Sequence, residues 1–301
     1  MPAESGGGRV PARAEVGPFE EKQYNMLRRF AYRALPRLLS PSTLHWLAEH
    51  VREWENLIKR GTTCWPFDAV IELENWCNRS CWYCPQSGQK YARLEITDEM
   101  FSLALQRLRE VGWDGQLFFS IFNEPFACKR IVERIGSARA VLPKALININ
   151  TNADYLTKDL MAASINAGLD RVVITRHPPY NNNWDAKVKE LMELFPGVIR
   201  MQQLQDDQLR NVAGLITKLV PAAPPTNPCS ALVDVFVIRY NGDIGPCCCD
   251  YDRGVVLGNI KDNNIREIWN NEKFKRMRGE LSHGIRTEKI CKNCNGSYRG
   301  L

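Results

Sequence analysis

Three cysteines stand close together in the eight-residue run CNRSCWYC, residues 77–84, directly after a predicted strand. Thiolates are the usual ligands of iron–sulfur clusters, and a cubic cluster normally takes four of them. Because the next cysteine, Cys128, is far along the chain and alone, we expect a small molecule to complete the coordination at one iron. A zinc knuckle is the alternative, but zinc usually needs a second short-spaced pair of ligands.

The spacing C-x3-C-x2-C, with an aromatic residue before the last cysteine, resembles the radical SAM superfamily. Cys77, Cys81, Tyr83 and Cys84 carry this match. The resemblance implies that the three cysteines hold a [4Fe-4S] cluster and that S-adenosylmethionine binds the open iron. One-electron reduction then releases a 5'-deoxyadenosyl radical, and a flavodoxin or ferredoxin is the expected electron donor.

Three further positions match parts of the superfamily that contact S-adenosylmethionine. Glu124 occupies the acidic position in Phe122-Asn123-Glu124-Pro125, where Gly-Gly-Glu-Pro is common. The resemblance implies that it holds the methionine ammonium. Asn152 follows a strand end of the Thr-Asn-Gly type, with Ala153 in place of glycine, and Thr175 matches a hydroxyl position near the ribose. Asn and Thr at strand ends also occur simply as turn formers.

A second cysteine group lies near the C-terminal end. Its pattern, C-x12-G-x4-C followed by LGNI and C-x2-C, resembles the start of a SPASM domain. Because seven residues follow the last cysteine, we expect the shorter form, called a twitch domain, with one auxiliary [4Fe-4S] cluster. A zinc ribbon is the alternative. The resemblance implies four ligands, which are Cys229, Cys247, Cys291 and Cys294.

Two surplus cysteines adjoin one of these ligands in the segment Gly245–Asp250. An S–H bond is weaker than most C–H bonds, so a free thiol there can return a hydrogen atom to a substrate radical. If a hydrogen atom is removed from one face of a carbon and another is returned to the opposite face, the configuration of that carbon is inverted. This is the reaction of an epimerase. We predict Cys249 as the donor rather than Cys248, because the residue directly beside a ligand is the more constrained. Alternatively, either of the two replaces Cys247 on the cluster.

With one auxiliary cluster and spare thiols, the chain resembles the aminoglycoside epimerases of the superfamily. Such substrates are polycationic, and charge-assisted hydrogen bonds to carboxylates would bind them. The candidate carboxylates are Glu72, Glu74, Asp250 and Asp252. Three alternatives stay open: a dehydrogenase of an amino-cyclitol, a peptide-modifying epimerase, and a zinc-containing nucleic-acid-binding module.

The elements that must position these residues follow a strand–helix alternation from about Cys64 onward. Candidate strands are 69–74, 116–122, 145–150, 171–175 and 198–202, and candidate helices are 98–111, 129–140, 157–168, 184–194 and 208–220. The alternation predicts a parallel sheet. The family resemblance makes it a partial, six-unit (β/α)6 barrel of the TIM-like type, in which active sites lie at the carboxyl ends of the strands.

The chain divides into four expected regions: a disordered tail at 1–18, a helical extension at 19–63, the barrel at 64–222 and the twitch domain at 223–301. The net charge of +6 is mild for 301 residues and the basic residues are scattered, which argues against nucleic acid as a partner. We found no long apolar run and no signal-peptide pattern. We therefore expect a cytoplasmic enzyme with no membrane contact.

Overall fold

The computed structural model describes residues 65–88, 92–177, 182–203, 209, 211–219 and 225–296. These residues form a mixed α/β fold around one sheet of seven strands. The predicted tail at 1–18, the helical extension at 19–63, Cys64 and the boundary between the barrel and the twitch domain, at 220–224, lie outside the described residues. Among the described residues, every helix is too short or too polar to span a bilayer.

The sheet has the order β5-β4-β3-β2-β1-β6-β7. All neighbouring strands are parallel except β6 and β7, which pair antiparallel. An open parallel sheet of this kind leaves the carboxyl ends of its strands on one edge. The strands are β1 (Asp68–Ile71), β2 (Gln116–Phe118), β3 (Leu146–Thr151), β4 (Arg171–Arg176), β5 (Ile199–Gln203), β6 (Val235–Ile238) and β7 (Ile244–Gly245).

Helices connect the strands, and their ends follow from local sequence. The first helix begins after Thr97, whose side chain accepts a hydrogen bond from Met100 N–H. Acidic residues occupy its first turn, where their negative charge interacts favourably with the helix dipole and stabilises the helix. The helices are α1 (Asp98–Glu110), α2 (Ile131–Val141), α3 (Lys158–Asn166), α4 (Asn182–Leu194), α5 (Ala231–Asp234), α6 (Ile265–Trp269), α7 (Glu272–Ser282) and α8 (Lys289–Lys292). Short 3-10 helices cover Pro85–Gly88, Pro125–Ala127 and Thr217–Leu219.

The core lies at the centre of the sheet, where β1 is buried along its whole length. Its neighbours β2 and β6 are also mostly or fully buried, so these strands read as continuous apolar runs, as parallel strands covered on both faces do. In contrast, β5 at the edge exposes four of its five residues. The strand ends that carry the first cysteine group therefore rest on the most rigid part of the sheet.

The sequence predicted the strand–helix alternation correctly, but three details differ. The first two strands end earlier, at Ile71 and Phe118, than predicted. The sixth strand, β6, comes from the region assigned to the second domain and pairs in parallel with β1, so the sheet continues past residue 222. The predicted helix at 208–220 is wrong in its described part. Residues Val212, Ala213 and Gly214 have positive φ, which no right-handed helix allows.

Candidate active site

The first cysteine group lies in the loop after β1, at the carboxyl edge of the sheet. Arg79 N–H donates to Cys77 Sγ at 3.5 Å, and Cys84 N–H donates to the carbonyl of Cys81 at 2.9 Å. Burial raises the pKa of Cys77 to about 11 and that of Cys84 to about 12, and the charges of the neighbouring thiols add to both shifts. A metal ligand must be a thiolate, so binding of a cluster here would release the protons of these thiols.

Two features of the first cysteine group are compatible with an iron–sulfur cluster: the closeness of its thiols and the backbone N–H donors near them. In the part of the chain that the structure describes, no three His, Cys, Asp or Glu side chains already converge on one metal-sized position. Even so, three half-buried thiols that influence one another, with backbone N–H groups aimed at the sulfurs of Cys77 and Cys84, match an iron–sulfur loop.

An ion pair ties this loop to the ends of β3 and β4. Arg79 binds Asp154 with two hydrogen bonds, of 2.7 and 2.5 Å, and donates a third to the carbonyl of His177 at 2.6 Å. Asn78 adds a bond of 2.7 Å to Asp154. Burial alone would raise the pKa of Asp154, but the bonds from Arg79 and Asn78 outweigh it and hold that pKa below its usual value. The sequence reasoning missed Arg79 and Asp154, which are 75 residues apart.

Tyr83, the aromatic residue of the motif, lies against His177. The two side chains share a hydrogen bond, and their rings stack with centroids 5.9 Å apart. Burial, and then the charge of Arg79, lowers the pKa of His177 to about 4, so its imidazole is neutral near pH 7. His177 follows β4 directly and was not among the predicted residues.

Glu124 is buried beneath the strand ends, with 1% of its surface exposed. One carboxylate oxygen accepts from Thr151 Oγ1 at 2.6 Å and from Phe126 N–H at 3.1 Å, and the other accepts from Asn152 N–H at 2.8 Å. Burial raises its pKa to about 7, against the effect of these bonds. In this structure Glu124 therefore joins the ends of β2 and β3, and a direct contact with a methionine ammonium stays a prediction.

The other two predicted cofactor residues lie on the same edge. Asn152 is buried and donates to Asn78 at 2.9 Å, and its amide also lies 3.8 Å from Cys77 Sγ. Its neighbour Ala153 adopts the left-handed conformation, φ 62°, in which glycine is usual. Thr175 is half-buried near the end of β4. The structure thus brings Asn152 to the first cysteine group.

The second cysteine group assembles from three segments. The charges of Cys229 and Cys294 act on Cys291, whose pKa burial raises to about 12. A hydrogen bond with Cys249 is the main cause of a raised pKa at both Cys247 and Cys294. Cys249 is therefore in contact with two of the four predicted ligands. This proximity of five thiols fits an auxiliary iron–sulfur site, and the ligand set of Cys229, Cys247, Cys291 and Cys294 stays a prediction.

A small cavity lies beside the second cysteine group, at the ends of β1, β2 and β6. Its walls include Cys247 and Cys248 but not Cys249, which packs with Val212, Ile216 and Tyr251. Tyr251 also donates from its hydroxyl to the side chain of Gln86 at 2.9 Å, which links the two groups. The other lining residues are Glu72, Asn75, Ile121, Phe122, Val237, Arg239, Asp250, Tyr251 and Arg253.

The predicted substrate carboxylates are committed to internal partners. Glu72 lines the cavity and pairs with Arg253 at 3.0 Å. Asp250 pairs with Arg239 at 2.5 Å and accepts two backbone hydrogen bonds, from Gly254 and Val255. Asp252 is exposed, and Glu74 lies outside the cavity lining, paired with Arg93 at 2.7 Å. Only Glu72 and Asp250 therefore reach the cavity, each beside an arginine that the sequence reasoning did not select.

Comparisons with known proteins agree with this arrangement. Residues 71–193 match the model of the radical SAM superfamily, and residues 229–295 match SPASM, an iron–sulfur cluster-binding domain. A relative from Niallia circulans, the S-adenosyl-L-methionine-dependent 2-deoxy-scyllo-inosamine dehydrogenase, is 27% identical over 227 residues, which are 75% of this chain and 91% of the relative.

Solved structures are also similar to this chain in fold. BtrN in complex with AdoMet and 2-DOIA is 27% identical, with a TM-score of 0.71 over 77% of this chain and 93% of BtrN. BtrN in an open conformation is 25% identical, with a TM-score of 0.61 over 77% and 92% of the two chains. Native anSMEcpe with bound AdoMet, at 13% identity and a TM-score of 0.50 over 76% and 89%, shares the fold alone.

Proposed function

We propose that this chain, which belongs to the radical SAM superfamily and carries a SPASM domain at its C-terminal end, is an epimerase that inverts a ring carbon of an aminoglycoside amino sugar, of the neomycin C to neomycin B type. The enzyme uses S-adenosylmethionine and two [4Fe-4S] clusters. The similarity to a dehydrogenase of 2-deoxy-scyllo-inosamine supports a small amino-cyclitol or amino-sugar substrate.

The surplus thiol of Cys249 carries the proposal. If Cys229, Cys247, Cys291 and Cys294 take the four ligand positions, Cys249 keeps its hydrogen while it lies against two of those ligands. The side chain is 9% exposed and packs with Val212, Ile216 and Tyr251, so water is largely excluded from it. A buried, unligated S–H group next along the chain from Cys248, which lines the cavity, is suited to give a hydrogen atom to a carbon radical once a substrate brings that carbon to it.

The hydrogen and electron balance of the reaction is complete. S-adenosylmethionine, when bound and reduced by one electron, would supply a 5'-deoxyadenosyl radical that can remove one hydrogen atom from the substrate carbon, with methionine and 5'-deoxyadenosine as the products. Cys249 then gives its S–H hydrogen to the opposite face of that carbon, so a new C–H bond forms and the S–H bond breaks. The sulfur radical returns to a thiol by taking one proton and one electron, which a reduced flavodoxin- or ferredoxin-type protein supplies.

The test is an anaerobic turnover in deuterium oxide with neomycin C and related aminoglycosides. We expect one solvent deuteron at the inverted carbon of the wild-type product. Cys249→Ala should keep about eight irons per chain and still cleave S-adenosylmethionine, but form no inverted product. The matched variant Cys248→Ala should keep inversion. Loss of inversion in Cys248→Ala alone would move the donor to Cys248, which lines the cavity.

The second candidate is a dehydrogenase of an amino-cyclitol. The 27% identical dehydrogenase from Niallia circulans favours it. In that reaction the substrate radical loses an electron and a proton, and no thiol donor is needed. An oxidised product without deuterium, formed equally by the wild type and Cys249→Ala, would replace the epimerase with this function.

A further inference from the structure

A turn of unusual backbone geometry precedes the β6 region. Three consecutive residues, Val212, Ala213 and Gly214, have φ values of 46°, 56° and 88°. A left-handed conformation is a genuine outlier for a β-branched residue such as valine, and such strain persists only where the surroundings enforce it. At Gly214 the geometry excludes a side chain, because a Cβ would lie 2.9 Å from the Cβ of Asn293. We call residues Asn211–Gly214 the Asn211 turn.

Asn211 ties the turn to the segment that carries Cys294. Its backbone N–H donates to Asn295 Oδ1 at 2.9 Å, and Asn295 N–H donates back to Asn211 Oδ1 at 3.1 Å. The Asn211 side-chain amide also donates to the carbonyl of Asn293. The Asn211 side chain is fully buried, so each of these bonds satisfies a group that water cannot reach.

This attachment places a backbone donor on one sulfur. Gly296 follows Asn295 directly, and its N–H donates a hydrogen bond to Cys294 Sγ at 3.4 Å. A hydrogen bond of this kind favours the negative charge of a thiolate. Hydrogen bonds to the sulfurs are among the features that set the reduction potential of an iron–sulfur cluster.

We propose that Asn211 is a positioning residue of the auxiliary site. By its reciprocal bonds with Asn295 it holds the adjacent Gly296 N–H on Cys294 Sγ, and this N–H···S bond raises the reduction potential of the auxiliary cluster. The reason is that the more negative, reduced cluster gains more from the donated hydrogen bond than the oxidised one. The role concerns the auxiliary site itself and holds for either candidate reaction.

The test is a redox titration, followed by electron paramagnetic resonance, on a background in which Cys77, Cys81 and Cys84 are all replaced by alanine. Only the auxiliary cluster contributes to the signal of that protein. We expect a lower midpoint potential in Asn211→Ala and in Asn295→Ala. Both should retain about four irons per chain.

Asn241→Ala is the matched control. Asn241 lies in the same C-terminal region, and its side chain also makes two hydrogen bonds, both with Asp243. We expect no change in potential there. If Asn211→Ala and Asn295→Ala keep the wild-type potential and four irons while their thermal stability falls, Asn211 has a structural role alone and the proposal is wrong. Because the readout is a potential rather than turnover, it is independent of whether the protein is an epimerase.

Discussion

The three cysteines of the first group lie within eight consecutive residues, whereas the four of the second come from three segments between Cys229 and Cys294. The first loop is held by charges: Arg79 pairs with Asp154, and Glu124 lies buried below the strand ends. In the second group, the segment of Cys294 is held by neutral amides of Asn211 and Asn295, although the loop of Cys247 has a buried ion pair between Asp250 and Arg239. Ionic contacts respond to pH and salt and amide contacts do not. The two sites should therefore differ in how solution conditions affect them.

The largest effect should come from removal of the ligands themselves. Cys77→Ala should abolish cleavage of S-adenosylmethionine and lower the iron content from about eight to about four per chain. Cys291→Ala should show the same loss of iron but leave cleavage of S-adenosylmethionine intact. Iron analysis and the release of 5'-deoxyadenosine measure both. If Cys291→Ala also empties the first site, the two groups are not independent.

The ion pair under the first loop should have the next largest effect. Arg79→Ala removes two hydrogen bonds to Asp154 and one to His177. Because both charged side chains are partly exposed, we expect a loss of about 1–2 kcal/mol in the free energy of unfolding. Iron should also be lost from the first site but not the second. The effect of the variant should shrink at high salt, since salt weakens the wild-type pair.

Arg130→Ala is the control, because Arg130 also pairs with two acidic groups, Asp98 and Glu133, but at an exposed position. It should leave both iron sites and the unfolding midpoint close to the wild type. Equal losses of iron in Arg79→Ala and Arg130→Ala would mean that charge in general, rather than this pair, holds the loop.

The pH dependence of stability gives a third test. The pKa of Glu124 is raised to about 7 by burial, so between its unfolded value near 4.5 and pH 7 the folded state binds more protons than the unfolded state. Its contribution to stability therefore falls as the pH rises through this interval, by about 3 kcal/mol in total. The lowered pKa of His177 acts in the opposite direction between about 4 and 6.5, so the wild-type curve alone does not isolate Glu124.

The measurement compares urea unfolding of the wild type and Glu124→Gln from pH 5 to 8. We expect the wild type to lose stability relative to the variant as the pH rises. Asn211→Ala, from the neutral site, should keep a constant difference from the wild type over the same range. A constant difference for Glu124→Gln would show that Glu124 is ionised in the folded state throughout.

The difference between local motifs and contacts that join distant parts of the chain explains which features the sequence could predict. The strand–helix alternation is a local pattern and was predicted correctly. Cys77, Cys81 and Cys84 are also a local motif, and the superfamily that they indicated matches residues 71–193, while their role as ligands stays a prediction. The supports are not local: Asn211 and Asn295 are 84 residues apart, and Arg79 and His177 are 98 apart. Nothing in the sequence indicates that Arg239 and Arg253 pair with the carboxylates predicted for the substrate. The predicted helix at 208–220 followed the strand–helix alternation, although Asn211 and Gly214 are residue types that adopt left-handed turns readily.

The smallest expected effect is on the unfolding midpoint, when either of two alanines with left-handed backbone conformation is replaced by glycine. One such alanine lies in each region. Ala153 lies beside the first group with φ 62°, and Ala213 beside the second with φ 56°. Replacement by glycine relieves about 1–2 kcal/mol of left-handed strain and costs about 0.5–1 kcal/mol through the greater freedom of the unfolded chain. Ala153 is fully buried, so its variant also loses a packed methyl group worth about 0.8 kcal/mol. Ala213 is only half-buried.

We therefore expect Ala213→Gly to raise the unfolding midpoint of the reconstituted protein slightly and Ala153→Gly to leave it nearly unchanged. A decrease in Ala213→Gly would mean that the Asn211 turn depends on the alanine side chain and not only on its amide bonds.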